Sequence, residues 1–159
     1  MWRIDQNCFA PGIAYSRREL SAYIHRRGAF TLVAENSAAQ SKGKLAEDST
    51  EFNGIAGFIV AESNRRGVGH IISIDVLPKY RRSGLGTTLL TAAENRLAEA
   101  SCQTIRLETA IDNASAIAFY KRHNYNITGT IPRYYPDGVD AFVFQKDLAS
   151  AIRKAVQAG

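Results

Sequence analysis

The chain has 159 residues and a mass of 17.5 kDa, the size of one ordinary domain with a sizeable core. Its residues are 45% hydrophobic and 22% charged, values of a globular protein that exclude collagen, coiled-coil and low-complexity classes. Twenty basic against fifteen acidic residues give a net charge of +5. This charge favours polyanionic partners such as nucleic acid, a ribosome or a phosphorylated cofactor, without choosing among them.

The apolar segments are short. The longest, residues 55–61, is far below the roughly 20 residues that cross a bilayer, so we expect no membrane span. Asp5 and Gln6 stand where a signal peptide needs its apolar region, which disfavours export by that route. We therefore expect a cytoplasmic protein.

The cysteines and histidines show no metal-ligand spacing. Cys8 and Cys102 are far apart and form no CxxC motif, which makes a disulfide framework or a zinc finger improbable. The histidines, at positions His25, His70 and His123, fall in different elements, where a solvated or hydrogen-bonded side chain is the better interpretation. We assign no metal.

The first clear element is a helix. Ser16-Arg-Arg-Glu19 is a capping box, and apolar residues follow it at helical spacing until Gly28. A shorter helical stretch is predicted before it, at residues 4–9. Apolar segments with different periods then alternate along the chain, which is typical of a mixed α/β domain without a linker.

Three strands follow in an antiparallel meander, at residues 30–35, 55–62 and 71–76, with a turn near residues 65–69. The polar run at residues 36–53 is long for a hairpin connection, and we expect it to be mobile.

The second half of the chain begins with an amphipathic helix at residues 84–100. A short strand at residues 105–108 leads to a helix that Asp112 or Asn113 can cap and that ends at His123-Asn124. The remaining predicted elements are strands at 125–131 and 141–145, a turn at 135–138, and a small helix after Asp147.

Residues 71–90 predict an anion site, because a strand runs through a basic, glycine-containing loop directly into a helix. Gly84 and Gly86 allow close backbone approach, the first helical N–H groups are unpaired, and Arg81 and Arg82 add charge. A Walker A loop would need lysine after the second glycine, and a dinucleotide fingerprint would need a small residue three positions later. Neither is present.

Residues 81–86 (RRSGLG) fit the pyrophosphate loop Arg/Gln-x-x-Gly-x-Gly/Ala of the GNAT superfamily of acetyl-CoA-dependent N-acetyltransferases, which this chain resembles. Residues 107–125 and 133–148 are similar to the segments that follow it in N-terminal protein acetyltransferases, in particular the bacterial ribosomal-protein alanine acetyltransferase type. The resemblance covers residues 4–148.

The resemblance implies an α/β GNAT fold, a single domain with a central mixed, mostly antiparallel, splayed sheet flanked by helices. We place this domain at residues 1–148 and a C-terminal helical tail at residues 149–159. Members usually open with a strand before the first helix, whereas here the first residues resemble the end of that helix, so the first family strand is expected to be missing. A shortened start, an unusual sheet edge and dimerisation through that edge are all open. Asn124-Tyr125 replaces the usual Gly-Phe.

Acetyl-CoA is the co-substrate that the resemblance implies. The backbone of residues 74–76 would hold the pantetheine arm, and the Val76 N–H would polarise the thioester carbonyl, with Asp75 more structural than catalytic. The cofactor-binding residues expected from the resemblance are Ile74, Asp75, Val76, Arg81, Arg82, Ser83, Gly84, Leu85, Gly86, Thr87 and Asn113.

Two catalytic residues are carried over from the resemblance. Glu108 matches the general base, acting through water; the alternative is an exposed strand carboxylate paired with an arginine. Tyr120 matches the tyrosine that protonates the departing thiolate. Its helical spacing alone favours a core aromatic residue, and its distance from Asn113 reverses that preference.

The acceptor groove is expected at Tyr134 and Tyr135, together with the loop at residues 9–15; the alternative is a plain hairpin turn. The implied function is direct transfer of an acetyl group, in a ternary complex, to a protein N-terminal α-amine, as in a ribosomal protein. Alternatives are a GNAT enzyme acting on a small amine or a lysine, and a non-catalytic acyl-CoA-binding module. We expect a monomer or homodimer without direct nucleic-acid contact.

Overall fold

The computed structural model describes residues 1–9, 14–36 and 54–148. The predicted mobile run falls, apart from residue 36, outside the described residues. The predicted helical tail at residues 149–159 lies outside them as well, and of the small helix after Asp147 only Leu148 is included.

Two short helices open the described chain. Helix α1 spans Trp2–Cys8 and helix α2 spans Arg17–Ile24, as the capping box and the shorter stretch before it predict. The Ser16 hydroxyl accepts the Glu19 N–H at 3.2 Å, and a Glu19 carboxylate oxygen accepts the Ser16 N–H at 2.9 Å. This reciprocal pair satisfies two N–H groups that a helix start otherwise leaves free.

In the described parts of the chain, six strands form one mixed sheet in the order β1-β2-β3-β4-β6-β5. All neighbours are antiparallel except β3 and β4, which are parallel. No strand precedes α1 among the described residues, so β1 forms one edge of the sheet. The strands are β1 (Ala29–Glu35), β2 (Ile55–Ser63), β3 (Val68–Val76), β4 (Thr104–Ala110), β5 (Asn126–Ile131) and β6 (Ala141–Asp147).

The parallel pair is short, and this is the feature that creates the site. Strand β3 pairs with β4 only from Val68 to His70, opposite Thr104 to Arg106. Beyond these residues β3 continues along β2 up to Val76, while β4 continues along β6 up to Ala110. The two strands therefore splay apart, which confirms the splayed α/β sheet predicted from the sequence.

Two further helices connect the strands on either side of the splay. Helix α3 spans Leu85–Glu99 after a 3-10 turn at Pro78–Tyr80, and helix α4 spans Ala114–Arg122. Asn113 caps α4, since its side-chain oxygen accepts the Ala116 N–H at 3.1 Å. The chain leaves α4 through Asn124, whose φ of 63° is the left-handed conformation predicted for it.

The sheet has an apolar cluster on each face. The larger one joins α3 and α4 to the sheet and includes Leu90, Leu97, Ile105 and Phe144. The smaller one joins α1 and α2 to β2 and β3 and includes Ile4, Leu20, Phe58 and Ile72. Because the second cluster covers only β2 and β3, the same face of β4 is left open where Arg106 and Glu108 project.

Candidate active site

The splay between β3 and β4 opens into a cavity of about 540 Å³. Residues of both strands line it, together with the loop before α3, the start of α4 and the tyrosines on either side. We call one part of its lining the cofactor side: Ile74, Val76, Arg81, Arg82, Gly84, Gly86, Thr87 and Asn113. The part lined by Tyr15, Glu108 and Tyr134-Tyr135, together with His70 in contact with Glu108, is the acceptor side.

The backbone of β3 offers hydrogen-bonding groups to the cavity. The Leu77 N–H donates to the Ala56 carbonyl of β2 at 3.0 Å. Successive N–H groups of a strand point to opposite edges, so the N–H groups of Val76 and Ile74 point away from β2, towards the splay. Both residues line the cavity. They are placed to hold an extended amide-containing arm by strand-like hydrogen bonds.

The loop before α3 has the geometry of an anion cradle. Gly84 lies just before the helix with φ of 87°, a conformation that side chains other than glycine rarely adopt. The first helical hydrogen bond is made by the Thr88 N–H to the Gly84 carbonyl, which leaves the N–H groups of residues 85–87 without helical partners. A Cβ on Gly86 would approach the Phe119 ring to 3.5 Å. The residues present therefore fit a pyrophosphate.

Arg81 contributes to the site in a different way from the one the loop motif suggests. Its Nε donates to the Val76 carbonyl at 3.0 Å, and its terminal nitrogen donates to the Cys8 carbonyl at 3.4 Å. The side chain thus fastens the end of α1 to the end of β3. Arg82 also lines the cavity, and both arginines are exposed.

Three predicted cofactor residues do not line the cavity: Asp75, Ser83 and Leu85. Asp75 is completely buried, and the Ser83 hydroxyl donates to the Tyr80 carbonyl at 2.6 Å. The alternation of side chains along a strand explains the burial of Asp75. The side chains of Ile74 and Val76 pack on the face of the sheet that carries α3 and α4, and the side chain of Asp75 lies on the opposite face, towards α1. Ser83 stabilises the loop from within. The other predicted cofactor residues, including Thr87 and Asn113, line the cavity.

Tyr120 lies in α4 and lines the same cavity. Its ring is 6% exposed and packs against Tyr125 and Phe144, with ring centroids 5.7 Å apart in both cases. Burial raises the pKa of Tyr120 above the ordinary value of a phenol, and the Asp75 charge adds to this. The residue is therefore both a core aromatic residue and a protonated hydrogen-bond donor at neutral pH.

Glu108 is held by two side chains, one on each carboxylate oxygen. His70 Nε2 lies 2.6 Å from one carboxylate oxygen, and Arg106 Nε donates to the other at 2.9 Å. Burial alone would raise the pKa of Glu108, but the hydrogen bonds and charges of His70 and Arg106 hold it below its usual value. Glu108 is therefore paired with an arginine, as the alternative interpretation expects, and it also lines the cavity.

His70 is a functional candidate that the sequence did not reveal. It lies on β3, and its other ring nitrogen is 3.8 Å from Glu62, which in turn is 3.6 Å from Arg26. The parallel register places His70 opposite Arg106, two residues before Glu108. In the sequence, His70 lies two residues before Ile72 and so on the same face of its strand. The sequence does not show which strand pairs with this one, and that pairing is what brings His70 to Glu108.

Aromatic side chains from two loops face each other across the acceptor side. Tyr134 and Tyr135 lie edge to face with centroids 5.1 Å apart, in the turn closed by the Gly138 N–H to the Tyr135 carbonyl. Burial, and next the charge of Glu108, raise the pKa of Tyr134. On the other loop, the Tyr15 hydroxyl donates to the Ile72 carbonyl at 3.2 Å. Phe9 also lines the cavity, whereas residues 10–13 of the predicted loop lie outside the described residues.

The family model described as the acetyltransferase (GNAT) family matches residues 3–125. The chain belongs to the GNAT acetyltransferase family. The expectation of an acyltransferase is thereby confirmed at the level of the family. Within the described residues, no group of three or more His, Cys, Asp or Glu side chains is arranged to hold a metal, and no helix is long and apolar enough to cross a membrane.

The chain is similar to curated proteins named N-alpha-acetyltransferase. An N-alpha-acetyltransferase of Saccharolobus solfataricus is 38% identical over 81 residues, which are 50% of this chain and 48% of that protein. The chain thus spans about half the length of the curated relatives that it matches.

Two solved structures share the fold. The ribosomal-protein-S18-alanine N-acetyltransferase of Escherichia coli has a TM-score of 0.73 at 23% identity, covering 92% of this chain and 84% of that one. A chain of the NatC complex bound to Gag peptide and CoA has a TM-score of 0.71 at 24% identity, covering 91% and 86%. At these identities the likeness supports the GNAT architecture alone.

Proposed function

We propose that this protein transfers an acetyl group from acetyl-CoA to the N-terminal α-amine of a polypeptide. The observation that carries the proposal is a single cavity lined by the glycine cradle, by Tyr120 and by Glu108, with tyrosines of two loops at its acceptor side. The names of relatives as N-alpha-acetyltransferases support the same acceptor. The protein acceptor, a cytoplasmic location and a helical tail remain predictions.

The transfer needs two bond changes and two proton movements. The neutral amine nitrogen attacks the thioester carbonyl carbon, the carbonyl oxygen becomes negative, and the carbon–sulfur bond then breaks to release a thiolate. One amine proton leaves towards Glu108 through a water molecule. Tyr120 gives its hydroxyl proton to the thiolate, and the proton that Glu108 releases to solvent restores the phenol. The products are an acetylated N-terminus and coenzyme A.

The cofactor side supplies binding and polarisation. The N–H groups of residues 85–87 and Arg82 would hold the pyrophosphate. The Val76 N–H, free of β2 pairing, would donate to the thioester carbonyl and stabilise the charge that develops on its oxygen. Tyr120, with its pKa raised, keeps its proton in the resting enzyme and donates a hydrogen bond to the sulfur as negative charge appears there.

The acceptor side favours an α-amine over a lysine. A carboxylate with a lowered pKa, as in Glu108, is a modest base. At pH 7.5 about a third of an α-amine is already neutral, against roughly a thousandth of a lysine amine, so the α-amine needs much less help. His70, in contact with Glu108, is a second group able to take the proton.

The test is an incubation with acetyl-CoA and two matched peptide sets. One set has free N-termini and no lysine; the other has blocked N-termini and one internal lysine. Mass spectrometry should find a shift of one acetyl group on the first set only, with Glu108→Gln as the inactive control. Acetylation confined to lysine, or no acetylation while coenzyme A binds, would contradict the proposal.

A further inference from the structure

Helix α1 packs against β3 directly behind the acceptor side, and each element buries one carboxyl group at this contact. Asp5 of α1 and Asp75 of β3 are both 0% exposed. Neither residue lines the cavity. Within the described part of the chain no cationic side chain is bound to either carboxyl group. This requires an explanation, because an isolated buried carboxylate is strongly unfavourable.

Each carboxyl group is satisfied on one oxygen only. Asp5 Oδ2 accepts the Tyr15 N–H at 2.8 Å, with the Gln6 amide at 3.5 Å. Asp75 Oδ2 accepts the Ser73 hydroxyl at 2.6 Å. The Oδ1 atoms of both residues are buried and have no hydrogen-bond partner among the residues that the structure describes. Such buried, unpaired oxygens are uncommon in native proteins, and here two of them occur at one helix–strand contact.

The surroundings favour the protonated forms. Burial, and less strongly the charge of Asp5, raises the pKa of Asp75 to about 7 against the lowering effects of Ser73, Cys8 and the Met1 ammonium. Burial raises the pKa of Asp5 to about 6, while the Tyr15 N–H, Gln6 and the Met1 ammonium lower it. The Cys8 thiol has its pKa raised to about 11 and is neutral. The Arg81 guanidinium, which acts on the Cys8 thiol, is bound to two backbone carbonyls.

We propose that Asp5 and Asp75 share one proton, and that this protonated pair positions Tyr15 at the acceptor side. One proton removes one of two like charges that are buried at this contact, where the charge of Asp5 acts on Asp75. The pair behaves as a unit, so its proton belongs to neither residue alone. The positioning part rests on the proposed function; the shared proton does not.

Tyr15 transmits the state of the pair to the cavity. Its N–H is bound by Asp5, and its carbonyl accepts the Gln6 amide at 2.9 Å, so both backbone groups are tied to α1. Its hydroxyl is tied to β3 at the Ile72 carbonyl, and its ring lies edge to face with Tyr23. When the shared proton is lost, two buried carboxylates carry like charges at the contact of α1 with β3. Their repulsion separates α1 from β3 and displaces Tyr15 from the cavity wall.

The sign of the pH dependence follows from the raised pKa values. The folded state binds a proton that the unfolded chain has released above about pH 4, so this contribution to stability is present at low pH and is lost as the pH rises through about 6 to 7. An ordinary salt-bridged carboxylate behaves in the opposite way. Asn at either position mimics the protonated form permanently, because its amide is neutral at every pH and leaves one carboxyl group at the contact.

The experiment compares the full-length wild type with Asp5→Asn, Asp75→Asn and the exposed control Glu99→Gln between pH 5.5 and 8.5. Wild type and control should lose thermal stability across this range, and both Asn variants should lose markedly less. The ratio of the wild-type peptide KM to the peptide KM of Asp5→Asn should rise about fivefold from the low to the high end of this pH range. The kcat and the acetyl-CoA affinity should stay nearly constant. Taking this ratio removes the titration of the peptide's own α-amine.

Infrared difference spectroscopy tests the proton without any substrate. The wild type at pH 6 should show a protonated-carboxyl band that both Asn variants lack and that Glu99→Gln retains. Absence of that band in the wild type, or an unchanged pH dependence in both variants, would overturn the shared proton. A protein that shows the band and acetylates no peptide would instead refute the proposed function.

Discussion

The cofactor side and the acceptor side meet in one cavity, but they are assembled in different ways. The cofactor side comes mainly from a continuous segment, in which β3 leads through the glycine loop into α3. The acceptor side brings together Tyr15 near α2, His70 on β3, Glu108 on β4 and Tyr134 between β5 and β6. Only the sheet register and the packing of α1 bring these side chains close.

The two sides also differ in what their groups do. The cofactor side presents backbone N–H groups and a helix start, which need no particular side chain apart from the glycines that permit the turn. The acceptor side depends on side chains that constrain one another, such as His70 and Arg106 on the two oxygens of Glu108. Substitutions should therefore separate the two sides, with chemistry lost on one and coenzyme affinity lost on the other.

The largest expected effect is that of Glu108→Gln. Removing the base should lower kcat/KM for a peptide acceptor about 10²- to 10⁴-fold, while the affinity for coenzyme A measured by calorimetry stays within about twofold. Glu62→Gln is the matched control, since Glu62 is the other carboxylate near His70, at 3.8 Å. A control as inactive as Glu108→Gln would show that the His70 charge network, not the base, had been measured.

Tyr120→Phe should cost about ten- to hundredfold in kcat, because the thiolate loses its hydrogen-bond donor while the ring keeps its core contacts. Steady-state rates with peptide and acetyl-CoA check this. The control is Tyr125→Phe, whose hydroxyl donates to Glu94 at 2.9 Å, outside the cavity lining. Full activity of Tyr120→Phe would show that Tyr120 acts only as a residue of the hydrophobic core.

A smaller effect is expected on the cofactor side from Gly84→Ala. The Cβ would meet nothing within 4 Å, so only the positive φ opposes it, at a cost of about 1 kcal/mol or about fivefold in acetyl-CoA affinity. Gly129→Ala is the matched control, with equal space and no positive φ. Equal binding by both variants would show that the cradle does not depend on this conformation.

The smallest effect should come from Tyr134→Phe. Tyr134 is 43% exposed, so the loss of its hydroxyl should raise the peptide KM only a few-fold, with kcat and acetyl-CoA affinity unchanged. Initial rates at varied peptide concentration measure this. A change in acetyl-CoA affinity instead would mean that the two sides are not separable.

The cofactor side was easier to predict from the sequence than the acceptor side. The glycine loop, the Ser16–Glu19 capping box and the Asn124 helix end are local patterns, and the structure has all three as predicted. The splayed sheet also agrees with the family resemblance. Local physics fixes these features because each depends on a few consecutive residues.

The contacts that depend on strand pairing could not be predicted. The His70–Glu108 contact requires the parallel register of β3 and β4, and the burial of Asp75 requires α1 to lie on β3. The binding of the Arg81 guanidinium to the Cys8 carbonyl joins residues far apart in sequence. For these, residue types and spacing give no distance, and only the folded chain shows which side chains meet.

The most direct test of the account is the structure of the protein bound to a coenzyme A–peptide conjugate that joins both substrates at the reacting atoms. We predict the pyrophosphate at residues 81–87 and the first peptide nitrogen either about 3 Å from the Glu108 carboxylate or linked to it through one water. The peptide should pass between Tyr15 and Tyr134. A nitrogen remote from Glu108, or a pyrophosphate bound elsewhere, would contradict the account.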